Sequence, residues 1–269
     1  VYEEEFGFVR AFEWSNDSQN IAFLRFNESQ VPTFSMDMVG NQNYPKQQVF
    51  KYPKAGEKNA MVTLHLYGVS SKSIRQIELG AYEYIPRIKW SNDADVLVAT
   101  TLNRHQNNLK LHKVNAIKAS ASLLLNETDK AYIDITDNLT FLNDNSFIWT
   151  SEKDGFNHIY HYDFSGKLIN QITSGNWEVT NYYGFNKDKK IIYYQSVENG
   201  STNRGVYSIG LNGNNKKLLS NKEGTNTASF STNLNYFINT YSSAVTPPIY
   251  ALYSAEGEML KVIKDNVAL

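Results

Sequence analysis

A short motif, an aromatic residue followed by polar turn residues, recurs along the chain, and its spacing restricts the fold more than any other feature. The clearest copies are Trp14-Ser15-Asn16-Asp17 and Trp90-Ser91-Asn92-Asp93, and weaker copies begin at Phe141, Phe185 and Phe230. The last four copies begin 51, 44 and 45 residues apart. A period of about 45 residues is typical of units of four short strands, such as the blades of a β-propeller. The spacing therefore predicts an all-β fold built from repeated blades.

Each copy of the motif is followed by an apolar strand and then by a hairpin. In one unit, the alternating segment His158–Tyr162 turns at Ser165-Gly166 and returns through Leu168. Asn and Asp favour the first turn because their side chains bond their own backbone, and glycine supplies the positive φ of the second. We predict about five blades of four antiparallel strands, the first without its opening strand. Each motif aromatic is expected to end a strand and pack between sheets.

The first interval, from Trp14 to Trp90, is about thirty residues too long for one blade. The surplus lies at about 27–59 and contains Pro32, Pro45 and Pro53, which exclude a central strand. We interpret it as an arm that projects from the blade. Its apolar side chains are costly to leave in water, which favours a contact role over a mobile surface loop.

Composition excludes several classes of function. The 269 residues carry a formal net charge of −1, so no broad basic face for nucleic acid is indicated. There is no cysteine, which excludes disulfides, thiolate nucleophiles and thiolate metal sites. No apolar run approaches the roughly 20 residues that a membrane-spanning helix needs. The 18 Tyr, 14 Phe and 4 Trp favour strands.

Common catalytic and metal-binding patterns are missing from these residues. There is no Gly-x-Ser-x-Gly nucleophile elbow and no glycine-rich phosphate loop. His158 and His161 lie three apart on a predicted strand, so they face opposite sides and are interpreted as strand surface residues rather than shared metal ligands. His65, His105 and His112 have no acidic partner at ligand spacing. We therefore expect no catalytic residue, metal or cofactor in this chain.

Three adjacent carboxylates, Glu3, Glu4 and Glu5, stand between the aromatic residues Tyr2 and Phe6. Like charges this close repel one another, and each requires solvation or a cation. A carboxylate cluster walled by aromatic rings is a plausible receptor for an ammonium group. The alternative is the acidic first turn of a short helix, where carboxylates suit the positive end of the helix dipole.

The order of several motifs resembles the propeller domain of the dipeptidyl peptidase IV family of serine exopeptidases, and this resemblance covers essentially the whole chain. The motifs are Tyr2-Glu3-Glu4-Glu5, Trp14-Ser15-Asn16-Asp17, Tyr52-Pro53-Lys54-Ala55-Gly56, Gly175-Asn176-Trp177-Glu178-Val179 and Asp265-Asn266-Val267-Ala268-Leu269. The acidic motif and the Tyr-Pro-Lys-Ala-Gly stretch are specific to that family.

The resemblance implies a function that the residues alone do not. It implies that 1–269 is a partial propeller domain, five blades of eight, in a longer enzyme that releases N-terminal X-Pro or X-Ala dipeptides. Glu4 and Glu5 would bind the free N-terminal amine of peptide substrates. The catalytic α/β-hydrolase domain, with its Ser, Asp and His, would lie outside these residues, so the chain alone is not expected to be an enzyme.

Further implications concern partners and location. The resemblance implies a homodimer formed through the arm, contact with the protein's own hydrolase domain, and a periplasmic or secreted location. Two family contacts have no counterpart here, namely an arginine from an earlier blade and a Phe-Arg pair in the region matching Ile133 to Phe141. A related prolyl tripeptidyl or other prolyl oligopeptidase-type peptidase, and a non-enzymatic propeller scaffold, remain as alternatives.

Overall fold

The computed structural model describes residues 2–221 and 223–268, with the side chains of Glu3 and Glu4 outside the description. The chain forms two compact units, Val1–Ile135 and Thr136–Leu269. Over the described residues, the strands form five four-stranded antiparallel sheets and one two-stranded sheet. The prediction of an all-β fold with five four-stranded blades is confirmed.

The first unit contains one short helix, two blades and a separate hairpin. Its elements are α1 Tyr2–Phe6, β1 Phe12–Trp14, β2 Asn20–Asn27, β3 Thr33–Met38, β4 Lys46–Lys51, β5 Met61–Gly68, β6 Ser73–Ile77, β7 Tyr84–Trp90, β8 Val96–Leu102, β9 Asn108–Asn115 and β10 Ser120–Thr128. Blade 1 has the strand order β1-β2-β5-β6, and blade 2 runs from β7 to β10 in sequence order. The hairpin β3-β4 is therefore inserted between the second and third strands of blade 1.

The second unit contains three blades, each with its four strands in sequence order. Its strands are β11 Thr140–Phe141, β12 Phe147–Ser151, β13 His158–Tyr162, β14 Leu168–Gln171, β15 Val179–Asn186, β16 Ile191–Ser196, β17 Gly205–Gly210, β18 Lys217–Leu218, β19 Thr225–Phe230, β20 Tyr236–Ser243, β21 Thr246–Ser254 and β22 Met259–Lys264. Blade 3 comprises β11 to β14, blade 4 comprises β15 to β18, and blade 5 comprises β19 to β22.

The expectation that blade 1 lacks its opening strand is wrong. Strand β1 pairs with β2 through Phe12 opposite Phe23 and Trp14 opposite Ile21. It is only three residues long, and both of its aromatic side chains are exposed, so it carries no burial pattern that a sequence could display. Trp14 is 49% exposed and does not pack between sheets as predicted, whereas the equivalent Trp90 is 7% exposed.

The polar turns after the motif aromatics form as predicted. The Asp17 carboxylate accepts the Gln19 N–H at 3.0 Å, and the Asp144 carboxylate accepts the Ser146 N–H at 3.0 Å. Such bonds satisfy backbone donors at the point where the chain reverses. The motif therefore marks the start of the second strand in its blade.

Blades 1 and 2 share one apolar core within the first unit. Leu64 and Leu66 of β5 pack with Ile85 of β7 and Leu97 of β8, and all four are fully buried. Burial of a side chain of this size stabilises the fold by about 1.5–3 kcal/mol. Tyr2 and Phe8, at the start of the chain, pack against the same cluster.

In the second unit, the central strand β16 of blade 4 packs on both faces. Tyr194 joins a cluster with Ile148 and Ile159 of blade 3, while Tyr193 joins a cluster with Phe237 of blade 5. Adjacent strand residues face opposite sides. The sequence of a central strand that is covered on both faces is therefore continuously apolar, as it is at residues 191–194.

The surplus residues of the first interval contain the hairpin β3-β4. Its strands pair from Thr33 opposite Lys51 to Met38 opposite Lys46. Pro32 and Pro45 each stand directly before one of these strands, a position that suits a residue without an N–H donor. We refer to 27–59 as the arm.

The interpretation of His158 and His161 as surface residues is wrong. His158 is fully buried, with its ring nitrogens 3.1 Å from Thr173 Oγ1 and 3.0 Å from the Gly175 carbonyl oxygen. His161 is 8% exposed, and its Nε2 lies 2.9 Å from Ser146 Oγ. His158 thus has a hydroxyl and a carbonyl partner, His161 has a hydroxyl partner, and such contacts allow a polar ring to be buried.

Candidate functional site

The helix α1 is held by aromatic side chains on one of its faces. Tyr2 and Phe6 lie four residues apart and therefore on the same face, and Phe6 is 2% exposed. The Tyr2 hydroxyl accepts the Ile85 N–H at 2.9 Å, and burial raises the pKa of the Tyr2 phenol. Gly7 follows the helix with a φ of 56°, the left-handed conformation in which helices commonly end.

Tyr2 is the centre of an aromatic cluster that joins α1 to blades 1 and 2. Its ring centroid lies 5.3 Å from Phe6, 5.3 Å from Phe8, 5.0 Å from Phe26 and 6.2 Å from Tyr84. All four pairs are edge-to-face, an arrangement that contributes about 0.5–1.5 kcal/mol per pair beyond area burial. A helix of five residues is too short to be stable alone, so these contacts determine its position.

The structure locates one member of the predicted glutamate pair. Glu5 is exposed, and its Oε1 accepts a hydrogen bond of 2.9 Å from Nε2 of Gln106, 101 positions along the chain. The backbone of Glu4 belongs to α1, but its side chain lies outside the described residues. The acidic triplet is thus part of a short helix, and at least one of its carboxylates is held by a distant side chain.

Gln106 belongs to the turn between β8 and β9, and this turn is tied to its surroundings by an ion pair. Arg104 of the same turn donates to Glu83 at 3.1 Å and also to the Glu57 carbonyl oxygen. Asn59 Nδ2 donates to the same Glu83 oxygen at 2.8 Å and to the Tyr84 hydroxyl at 2.9 Å. The network connects blade 2 to the end of the arm.

A cleft of about 470 Å³ lies beside Glu5. Its walls come from α1, from strand β2, from the arm and the residue that follows it, and from the start of β7. The lining residues are Tyr2, Glu5, Phe26, Glu28, Val31, Phe50, Lys51, Tyr52, Pro53, Asn59, Ala60 and Tyr84. Carboxylates accept strong charge-assisted bonds, and aromatic faces attract cations. The cleft therefore has the chemistry to receive an organic ammonium group.

Two tyrosines respond to the charge of Glu5. Burial raises the pKa of Tyr84, and the negative charges of Glu83 and Glu5 raise it further. Burial also raises the pKa of Tyr132, with further contributions from Asp134 and Glu5. Both phenols are therefore even harder to ionise than an ordinary tyrosine, which is already protonated at neutral pH.

A second cleft, of about 570 Å³, lies between blades 3 and 4 and includes Lys189, Lys190 and His161. It is larger, but Lys189 pairs with Glu256 at 2.6 Å and His161 is held by Ser146. Its lining has two lysines and no carboxylate. The cleft at Glu5 has two carboxylates and one lysine, Lys51, which donates to the Val31 carbonyl oxygen at 2.9 Å, so we assign the candidate site to it.

Two further features are absent from the described residues, a metal-ligand cluster and a membrane-spanning helix. Among them there is no group of three or more His, Asp or Glu residues that could hold a metal ion. Within the same residues, no helix has the length and apolar character to cross a bilayer.

A family profile described as the dipeptidyl peptidase IV N-terminal region matches residues 1–248. The chain belongs to this family. Dipeptidyl peptidase 4 of Trichophyton equinum is 32% identical over the whole chain, and the match spans 37% of that protein. Dipeptidyl peptidase 4 of Trichophyton rubrum is 31% identical with the same coverage. The chain thus spans little more than a third of the length of these curated relatives.

Solved structures agree with the family assignment. The crystal structure of Porphyromonas gingivalis dipeptidyl peptidase 4 matches the whole chain with a TM-score of 0.93 and 43% identity, over 38% of that protein. A putative dipeptidyl aminopeptidase IV from Bacteroides ovatus matches 98% of the chain with a TM-score of 0.84. At 23% identity the second structure supports the fold alone.

Sequence reasoning did not find the residues that surround Glu5. Tyr84, Asn59 and Gln106 lie far from the acidic triplet along the chain and carry no motif of their own. The available signals were the acidic motif and the Tyr-Pro-Lys-Ala-Gly stretch, whose Tyr2, Tyr52 and Pro53 line the cleft.

Proposed function

We propose that this chain is the substrate-recognition propeller of a dipeptidyl peptidase IV-like serine peptidase that releases N-terminal X-Pro or X-Ala dipeptides. Glu4 and Glu5 bind the free N-terminal amine of the peptide substrate. The observation that carries the proposal is the carboxylate of Glu5, fixed by Gln106 at the edge of an aromatic-lined cleft. Membership of the family supports it.

The proposed chemistry is recognition rather than bond cleavage. An α-ammonium group presents three N–H donors, and carboxylates accept them in charge-assisted bonds that are roughly twice as strong as neutral ones. A hydrolase domain elsewhere in the protein supplies the serine nucleophile and its base. A fixed distance between the carboxylates and that serine selects the second peptide bond for cleavage.

The test is substitution of the clamp in the full-length protein. Glu4→Gln and Glu5→Gln keep the side-chain shape but remove the charge. Loss of a charge partner for an ammonium group that is enclosed on binding costs about 2–5 kcal/mol, so kcat/KM for Gly-Pro-anilide is expected to fall roughly thirty-fold to several thousand-fold. Glu258→Gln is the matched control, since Glu258 is an exposed glutamate on blade 5 that does not line the cleft.

Two results would contradict the proposal. If both single variants remain within about two-fold of wild type, neither carboxylate binds the amine in the transition state. Faster release of an N-terminal tripeptide than of a dipeptide would instead favour a prolyl tripeptidyl peptidase.

We also propose a periplasmic or secreted location for this protein, which the sequence resemblance implies. Fractionation of the source cells with a compartment marker tests that assignment, and recovery in the cytoplasmic fraction would oppose it.

A further inference from the structure

Gln106 occupies a turn whose shape does not require its side chain. The Gln106 N–H donates to the Asn103 carbonyl oxygen at 3.0 Å, and the Gln106 carbonyl accepts the Ile133 N–H at 2.8 Å. Asn103 Oδ1 accepts the N–H groups of Asn107 and Asn108, each at 3.0 Å. Backbone groups and the Asn103 side chain thus close the turn, and the Gln106 amide is left available for another partner.

That partner is Glu5. Gln106 Nε2 donates to the Glu5 carboxylate at 2.9 Å, while Gln106 Oε1 is buried and has no hydrogen-bond partner among the described residues. Exchange of the amide nitrogen and oxygen would place an acceptor against a carboxylate, so the bond to Glu5 determines the orientation of the amide. A buried acceptor without a partner is costly.

The backbone of Gln106 adds to this cost. Its φ is 54°, a left-handed conformation that is uncommon for residues other than glycine. A glycine would fit the turn with less strain, but it would offer no donor to Glu5. Ser18, Asn145 and Leu234 adopt a similar φ in turns of other blades, so what distinguishes Gln106 is its contact with Glu5.

We propose that Gln106 is a positioning residue that fixes the Glu5 carboxylate for binding of the substrate's α-ammonium group. This inference rests on the function proposed above. Glu5 is exposed at the rim of the cleft, and an exposed carboxylate samples several rotamers. The bond from Gln106 restricts Glu5 to one orientation and occupies one oxygen, which leaves the other oxygen for the substrate.

The experiment compares Gln106→Met and Gln106→Glu with wild type in the full-length protein. Met keeps the length of the side chain but has no donor, and Glu is nearly the same size but places a second carboxylate against Glu5. His105→Ala is the matched control, because His105 is exposed on the same turn. Two substrates are used, Gly-Pro-anilide and acetyl-Pro-anilide, which differs from the first only in lacking the amino group.

Gln106→Met is expected to lower kcat/KM for Gly-Pro-anilide about ten-fold, the effect of one lost hydrogen bond to a charged group. Gln106→Glu should lower it at least as much. The rate with acetyl-Pro-anilide should stay within about two-fold of wild type for both variants, and His105→Ala should leave both substrates unchanged.

A double-mutant cycle with Glu5→Gln distinguishes an effect of Gln106 that acts through Glu5 from an effect on the structure as a whole. Residues that act through one contact give non-additive effects, so Gln106→Met should cost less than about two-fold in the Glu5→Gln background.

Equal losses on both substrates, or full additivity with Glu5→Gln, would show a structural role and overturn the proposal. Wild-type activity of both Gln106 variants, alongside a large loss in Glu5→Gln, would overturn this inference and leave the amine clamp intact. Wild-type activity of Glu4→Gln and Glu5→Gln would overturn the clamp and this inference together.

Discussion

At the scale of single residues, the candidate site depends on two distant contacts. Tyr2 anchors α1 through the Ile85 N–H and an aromatic cluster, and Gln106 fixes the carboxylate of Glu5. The first contact places the helix, and the second selects one orientation of a side chain on it. The geometry of the candidate site therefore depends on the packing of blade 2 as well as on Glu5 itself.

Buried histidine makes the stability of the first unit dependent on pH. Burial lowers the pKa of His112 to about 4, and the positive charge of Lys110 adds to this. The unfolded chain has a histidine pKa of about 6.5, so it binds the proton more tightly than the folded chain does. The contribution of neutral His112 to the free energy of unfolding is therefore fully present above about pH 6.5. It is lost as the pH falls towards 4, which lowers the free energy of unfolding by roughly 2–3 kcal/mol.

The measurement is the free energy of unfolding in urea at pH 7, 5.5 and 4.5 for wild type and His112→Gln. We expect the variant to lose less stability than wild type over this range, because it lacks the titrating ring. His105→Ala is the control for loss of a histidine from the same blade, since His105 is exposed. Identical slopes for wild type and His112→Gln would contradict the assignment.

The sequence identifies Glu5 as a candidate site residue but does not identify Gln106, which contacts it. Glu5 belongs to a contiguous motif, whereas Gln106 reaches it only after two blades have folded. Burial of His158 was missed because its hydrogen-bond partners, Thr173 and Gly175, belong to a different segment. Contacts that join distant segments leave no local pattern in a sequence.

At the scale of elements, predictability follows burial. Strand β16 was predicted because it is apolar on both faces, and its neighbours cover both. Strand β1 was missed because it is three residues long and mostly exposed. The order of strands within a blade was predictable because consecutive strands joined by short turns pair with one another.

The arm exposes apolar side chains that a second protein chain could cover. Val39 and Tyr44 near its tip are 87% and 83% exposed, and an isolated two-stranded hairpin is only marginally stable in water. We propose that the arm contributes to a homodimer, in which these side chains are covered. Val39→Lys combined with Tyr44→Lys should weaken the dimer at least ten-fold, because charged groups replace apolar ones at the contact.

Sedimentation equilibrium of the full-length protein gives the dimer dissociation constant. Val245→Lys is the matched control, since Val245 is 92% exposed on a turn of blade 5, outside the arm. An unchanged dimer in the arm variant, or a monomeric wild type, would rule out this role.

At the scale of the whole molecule, the repeat near 45 residues accounts for the five four-stranded blades. The family match, and not the repeat, connects these blades with dipeptidyl peptidase IV. Each blade buries its apolar faces against neighbours within its unit. A repeated architecture of this kind supports many functions, so the fold alone identifies none. The functional conclusion depends on the acidic helix and its cleft.

The last prediction concerns the chain in isolation. Its 269 residues contain no Gly-x-Ser-x-Gly elbow, and its curated relatives are more than twice as long. Without an activated serine and a base there is no acyl-enzyme route to hydrolysis. Residues 1–269 expressed alone should therefore release no chromophore from Gly-Pro-anilide, whereas the full-length protein should turn over. Circular dichroism dominated by β-structure would establish that the isolated chain is folded. Activity that survives purification and is abolished by replacing a residue of this chain would show that it carries catalytic groups of its own.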